Sequence, residues 1–361
     1  MNKLELLLNV SSELALEKDL KTILMKLTNV AKKLLNADIC SIFLHDGKTH
    51  ELWTIVAERV SEIRISDDKG IAGQVFQNGE ILHILDAYQD PRFDQDTDRR
   101  IGYHTKNMLV IPLINNKGIT FGVLEIINKL DDTSFDHEDI DLLKHITLYV
   151  GSIIENFYLN DIIKQVHKDL VYKLASVTKF KDKETQNHII RVGLYCTVLA
   201  RELHWEEEKI ELIQLAAPMH DIGKVGIPDH ILLKPGLLED GEREIIKKHS
   251  QYGFEILQGA DSDLLQLAAK IAIEHHEKWD GSGYPNALSG ENISIEGRMT
   301  AISDVFDALT SSRPYKEPWS FARALDYIEA EKGKHFDPSL ARLFIEKAAE
   351  MIQIKEDYED D

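Results

Sequence analysis

The chain has 361 residues, too many for one ordinary core and enough for two domains. Hydrophobic residues make up 43% and charged residues 29%, so each half is able to bury a core. A formal net charge of -20 repels nucleic-acid phosphates and anionic membranes, which argues against a nucleic-acid polymer or a membrane surface as partner.

A small anion would still bind at a local cluster of metals or basic side chains. The two cysteines, Cys40 and Cys196, lie far apart in apolar contexts and are expected to be core thiols in a reducing compartment. The first residues carry Glu5, Glu13, Glu17 and Asp19, which excludes a signal peptide, and no apolar run reaches the span of a membrane helix. A cytoplasmic protein is expected.

In chain order, residues 1–35 read as helix, with Leu4, Leu7, Leu8, Leu14, Leu20, Leu24 and Leu27 recurring mostly at three- and four-residue spacing. Alternation over 37–58, around His45-Asp46-Gly47-Lys48, predicts a hairpin. Strands are expected again at Met108–Ile114 and Phe121–Asn128. A helix is expected from near Asp136 to about Lys179. Its stripe, Ile146, Tyr149, Ile153, Phe157, Ile163, Val166, Leu170, Leu174 and Val177, suggests either a coiled-coil-like homodimer contact or a helix packed on its own domains. From Thr178 onward strand patterns disappear and helices dominate, down to an acidic tail, 352–361, expected to fray. The resulting division is 1–155, a connecting helix 156–180, and 181–361.

The second half concentrates imidazoles and carboxylates. His220-Asp221 follows the apolar helix that holds Ile213, Leu215 and Ala216; alone, such a pair reads equally as a buried His bonded to its neighbour. Glu184 and His188 are four apart and would share one helix face. His249 closes the helical run Glu242–Lys248, and His275-His276 follows another apolar helix face. Asp304 is a lone charge in an apolar stretch, costly unless paired or metal-bound. Imidazole and carboxylate without thiolate suit iron, manganese or zinc. So many candidates suggest at least two ions, which would lower the pKa of a bound water and hold both attacking and leaving oxygens of a phosphodiester. Lys224, close after His220, either stabilises charge on the phosphate and protonates the leaving oxygen or is a surface lysine on a turn.

Three runs carry a family resemblance: HDIGKVGIPDHILLKPG at 220–236, HHEKWDGSGYP at 275–285 and DVFDALTSSRPYK at 304–316. With His188 they resemble the HD-GYP subgroup of the HD phosphohydrolase superfamily, over roughly 178–345. The resemblance implies an all-α domain that hydrolyses the 3′,5′ bonds of cyclic di-GMP to pGpG and, in some members, GMP. It implies His188, His220, Asp221, His249, His275, His276 and Asp304 as metal ligands. Glu184 stands where a third metal becomes plausible, so a two- or three-iron site is expected, with manganese as alternative. Lys224 and Asp221 are the implied catalytic pair. Arg313 and Lys316 are similar to the family's phosphate-holding pair. Tyr284 is expected either to stack on guanine or to contact diguanylate cyclase (GGDEF) partners. Asp307 is expected to touch substrate or orient Lys224. Ser250 stands where the family often has proline, which there mainly sets the turn.

Gly70-Ile71-Ala72-Gly73-Gln74-Val75-Phe76, Asp86-Ala87-Tyr88-Gln89-Asp90-Pro91-Arg92-Phe93 and Pro112-Leu113 leading to Gly122-Val123-Leu124 resemble a GAF domain over about 20–155. The fold implied is an antiparallel sheet flanked by helices, with a pocket for an unidentified small ligand, so the chain as a whole is of the α+β class. Asn128-Lys129, Phe135 and Asp139 are similar to a signature of cyclic-nucleotide-binding GAF domains, with Ile140 in place of its final Glu; that motif is often a structural clasp. The leading expectation is a cyclic di-GMP phosphodiesterase gated by the GAF domain. Alternatives are an interaction module acting on diguanylate cyclases, a hydrolase of another cyclic dinucleotide, and a di-iron oxygenase.

Overall fold

The computed structural model describes residues 19–56, 63–131, 133–177, 185–312 and 317–360. They fall into two compact units, the first ending at Ile163 and the second starting at Lys164.

The first unit opens with α1 (Leu20–Leu35), capped by Asp19, whose carboxylate accepts from the Thr22 amide at 2.8 Å. The expected helix is thus present over 20–35, and its first eighteen residues lie outside the described ones. β1 (Ala37–Asp46) and β2 (Glu51–Val56) pair antiparallel, Leu44 opposite Trp53. The turn falls at 47–50, later than expected, because His45 and Asp46 still pair with Leu52 and Glu51. β3 (Arg64–Ser66), α2 (Gly70–Asn78), β4 (Leu82–Ile84) and α3 (Gln95–Ile101) follow, then β5 (Met108–Ile114) and β6 (Thr120–Lys129). The sheet is antiparallel, in the order β3-β2-β1-β6-β5-β4.

Strand alternation gives this sheet two apolar faces. Cys40, Ile42, Leu44, Leu109, Ile111, Leu124 and Ile126 pack with α1 and with Leu143, Ile146, Val150 and Ile154 of α4 (His137–Ala175). Phe43, Met108, Val110 and Val123 pack with Ile71, Ala72 and Val75 of α2. The stretch Asn128–Asp139 is a clasp. Lys129 pairs with Asp139, Phe135 is buried, and the Asn128 amide group donates to the His104 carbonyl at 2.8 Å.

α4 is one helix of 39 residues and contributes to the cores of both units, with Val150 and Ile154 buried in the first and Val171 and Ala175 in the second. Between these lie exposed Tyr158, Leu159, Ile162, Ile163, Val166 and Leu170, and exposed Leu174 and Val177 follow. Tyr149, Ile163, Val166, Leu170, Leu174 and Val177 of the expected stripe are therefore uncovered in the single chain, whereas Ile146, Ile153 and Phe157 serve the first core.

The second unit is helical: α5 (Gln186–Glu202), α6 (Glu207–Ala216), α7 (Asp229–Leu232), α8 (Asp240–Leu257), α9 (Asp263–Glu274), α10 (Ile295–Thr310), α11 (Phe321–Ala330), α12 (Pro338–Glu346) and α13 (Ala348–Asp357). Tyr195, Cys196, Leu199, Ile213, Ile271, Ile302, Phe306 and Phe344 fill its core. Both cysteines are free and buried. The acidic tail does not fray as expected. α13 takes most of it, and Asp360 pairs with Arg191 at 3.0 Å while Asn187 donates to the Glu359 carbonyl at 2.5 Å. A fully buried guanidinium needs carboxylates, and the tail supplies one. No described helix is long and apolar enough to cross a membrane.

Candidate metal centre

Four helices and one tight turn deliver the candidate ligands. α5 begins at Gln186, capped by Thr185, whose hydroxyl accepts from the His188 amide, so His188 sits in the first turn. α6 ends at Ala216 and passes through a 3-10 turn, Ala217–Met219, into His220-Asp221. His249 lies midway along α8 and does not close a helix as expected; Ser250 beside it is buried in the same helix, so no turn occurs there. His275 caps α9, His276 follows it, and Asp304 lies on α10.

Gly223 explains how the turn comes so near α8. A Cβ there would stand 2.0 Å from the His249 carbonyl oxygen and 2.3 Å from the Gly253 nitrogen. Only glycine permits this approach, which brings Asp221 Oδ1 to 3.1 Å from His249 Nε2.

Four of the five candidate imidazoles are held through Nδ1. His220 Nδ1 donates to the Ala217 carbonyl (2.8 Å), His249 Nδ1 to Ile246 (2.7 Å) and His275 Nδ1 to Ala272 (2.9 Å). His188 Nδ1 donates to Asp307 at 2.9 Å. With the proton assigned to Nδ1 by these acceptors, Nε2 is left as an electron-pair donor facing inward.

The inward atoms form two adjoining groups. Asp221, His249, His275 and His276 offer ligand atoms within 4.8 Å of one another, as do His188, His220 and Asp304. Asp221 joins them, 3.3 Å from His220 Nε2 on one side and 3.1 Å from His249 Nε2 on the other. His249 Nε2 and His275 Nε2 face each other at 3.3 Å. Neither has a proton to give the other, an arrangement that suits a cation shared between them. This donor set, imidazole and carboxylate without thiolate, fits a divalent first-row transition metal. Burial, with its imidazole neighbours His275 and His249, holds His276 well below its usual pKa, in the neutral form a ligand needs.

Lys224 Nζ lies 2.7 Å from Asp221 Oδ2, beside both groups. Burial alone would raise the Asp221 carboxyl, but Lys224 and His220 outweigh it and hold it well below the usual range. Tyr284 stacks on His276, ring centroids 4.8 Å apart, with Lys247 5.5 Å over its ring. The loop that carries it is anchored by buried Glu277, which accepts from the Asn286 (2.7 Å) and Leu288 (3.0 Å) amides.

Asp307 is placed differently from expectation. It is fully buried behind His188, accepting from Arg191 at 2.5 and 2.8 Å, and neither orients Lys224 nor faces an open site. The sequence reading missed Arg191, although a lone charge within Ile189-Ile190-Arg191-Val192 is the signal that marked Asp304. Glu184, Arg313 and Lys316 lie outside the described residues.

Comparison with known proteins agrees with this architecture. Residues 164–340 match the HD domain family model and residues 19–154 the GAF domain model. The chain is 46% identical over 217 residues to the 3′3′-cGAMP-specific phosphodiesterase 2 of Vibrio cholerae, covering 60% of this chain and 42% of that one. It is 40% identical over 192 residues to the cyclic di-GMP phosphodiesterase response regulator RpfG of Xanthomonas campestris pv. campestris, covering 53% and 51%. It is 42% identical over 192 residues to a cyclic di-GMP phosphodiesterase of Thermotoga maritima, covering 52% and 52%. The chain thus spans about half the length of these curated relatives. It joins an N-terminal GAF domain to a C-terminal HD domain, as its HD-GYP and GAF resemblances implied.

Proposed function

We propose that the chain is a metal-dependent phosphodiesterase that hydrolyses cyclic di-GMP to pGpG, and on to GMP where the second bond is cut, under control of its GAF domain. The observation that carries the reading is the set of inward-facing Nε2 atoms around Asp221, each held from behind through Nδ1, with a lysine beside them. His188, His220, Asp221, His249, His275, His276 and Asp304 would hold two ions, iron or manganese; Glu184 would add a third. The ions supply charge neutralisation on the phosphodiester and an activated water. Asp221 fixes Lys224, whose ammonium is set to stabilise charge on the phosphate oxygens or to protonate the leaving oxygen. Arg313 and Lys316 would hold phosphate, and Tyr284 would border the guanine or a GGDEF partner. Asp307 serves as a positioning residue for His188.

The relative from Vibrio cholerae named for 3′3′-cGAMP favours a second substrate of the same class, cyclic GMP-AMP. Incubating the iron- or manganese-loaded chain with both cyclic dinucleotides and separating the products tests both readings. Linear pGpG supports the first, and a preference for cyclic GMP-AMP the second. Bound metal with no product from either moves the assignment to the interaction module.

For regulation, 1–155 would be the sensor, 156–180 the connecting helix and 181–361 the hydrolase. The uncovered Ile163, Val166, Leu170, Leu174 and Val177 would pair with a second copy as a parallel helical seam. The gating reading fails if removing residues 1–155 leaves rate, metal content and oligomeric state all unchanged.

A further inference from the structure

The GAF unit has a half-open cavity of about 180 Å³ between its sheet and the segment from Ile63 to Thr105. Ile39, Phe43, Ile71, Phe93, Met108 and Ile127 give it apolar walls. That is roughly six water volumes at ~30 Å³ each, and it lies below the ~300–1,000 Å³ of pockets for drug-sized ligands.

Glu125 projects into this cavity from β6, a central strand, opposite Ser41 on β1 and Val110 on β5. A carboxylate at such a position is costly without a partner, and none is present among the described residues. The other acids that line the cavity are committed. Asp98 of α3 accepts from the Thr105 amide (2.7 Å) and hydroxyl (3.0 Å), and Asp94 accepts from the Asp96 amide and the Thr97 hydroxyl. Tyr103 donates to Asp38 at 2.7 Å. Lys69, ahead of α2, is the basic residue of the lining and its side chain is exposed. Burial, reinforced by the Asp98 charge, pushes the Glu125 carboxyl up to about 7.

We propose that this cavity takes a small organic cation, an amine or amidine on a short apolar body, with its nitrogen held by the Glu125 carboxylate. A cation meets an unsatisfied acceptor and walls that suit hydrocarbon, and its charge offsets the cost that Glu125 bears alone. A phosphate ester would meet Glu125 and Asp98 as like charges, so cyclic nucleotides do not fit this chemistry. The proposal rests on the reading of the GAF unit as a small-molecule sensor and names the ligand class that the sensor takes.

The test is calorimetric titration of the full chain with isopentylamine, isobutyramidine, the neutral isostere isopentanol and cyclic GMP. Wild type, Glu125→Gln and Glu125→Asp are compared, and the rate on cyclic di-GMP is followed in parallel. The expected result is saturable binding of the amine or amidine at least tenfold tighter than of isopentanol, weakened tenfold or more by Glu125→Gln and less by Glu125→Asp. If the glutamine variant fails to fold, the aspartate variant and the alcohol comparison carry the test. Binding of isopentanol or cyclic GMP as tight as that of the cations, undiminished cation binding to Glu125→Gln, or no cation binding would each overturn the proposal. A bound cation that leaves the hydrolysis rate unchanged would refute gating and leave the cation site standing.

Discussion

Replacing Asp307 by Asn tests whether the candidate metal centre depends on a buried support. Asp307 is surrounded by donors. Arg191 gives two bonds at 2.5 and 2.8 Å, His188 one at 2.9 Å, and the Tyr195 and Ser311 hydroxyls approach at 3.3 and 3.2 Å. Burial alone would raise this carboxyl, but Arg191 and His188 outweigh it and hold it far below the usual carboxylate range. Asparagine keeps the shape but must point an NH2 group at Arg191 or His188. Removing one partner of a buried pair costs about 3–5 kcal/mol. For a domain of this size that lowers Tm by roughly 6–20 °C. His188 also loses the acceptor that sets its tautomer, which typically costs about 10–100-fold in metal affinity. The measurements are thermal unfolding and competition for Mn2+ against a chromophoric chelator. The carboxyl is depressed in the folded state, so its contribution is full above the unfolded value near 3.8 and is lost as pH falls further. The gap between the proteins should therefore hold at neutral pH and close in acid. A variant that loses stability but keeps wild-type metal affinity would refute the positioning role of Asp307, and one that keeps both would refute the whole account.

Gly223→Ala should displace α8, because its methyl would stand 2.0 Å from the His249 carbonyl; a loss of about 1–3 kcal/mol or more and of bound metal is expected by chemical unfolding and elemental analysis. Glu125→Gln should stabilise the GAF unit with a pH signature. The carboxyl is raised from 4.5 to about 7, so wild type loses stability as pH rises between these values, and the variant's advantage grows to at most roughly 3 kcal/mol and then stays level. Equal pH profiles of the two proteins in unfolding scans would count against a half-buried Glu125 with no partner among the described residues. Lys224→Ala should lower kcat on cyclic di-GMP by about 10²–10³-fold with metal content retained; steady-state rates alongside elemental analysis check this. Stripping metal with a chelator should lower the unfolding temperature of the HD unit and leave the GAF transition in place, read by calorimetry.

The sequence by itself determined the elements and the residues of interest. Leu20, Leu24 and Leu27 mark the face of a helix, and alternation marks β1 and β6, because helix and strand periods are local properties of the chain. His188, His220-Asp221, His249, His275-His276 and Asp304 stood out because several of them end or punctuate apolar helical runs, where a polar side chain needs a reason. Tertiary structure decided what those residues face. That His220, His249 and His275 tie down Nδ1 depends on carbonyl directions within each turn, that His188 does so depends on Asp307 of another helix, and that Asp221 stands between the two ligand groups depends on Gly223 lying flush against α8. Asp307 could not be assigned from spacing, since its partners His188 and Arg191 lie far away in the chain and meet it only when α5 and α10 pack together, with Asp360 of the tail as the second acceptor for Arg191. Glu125 was equally hidden: a strand's alternation tells which side chains share a face, and only the packed sheet shows that this face borders a cavity and offers the carboxylate no partner among the described residues.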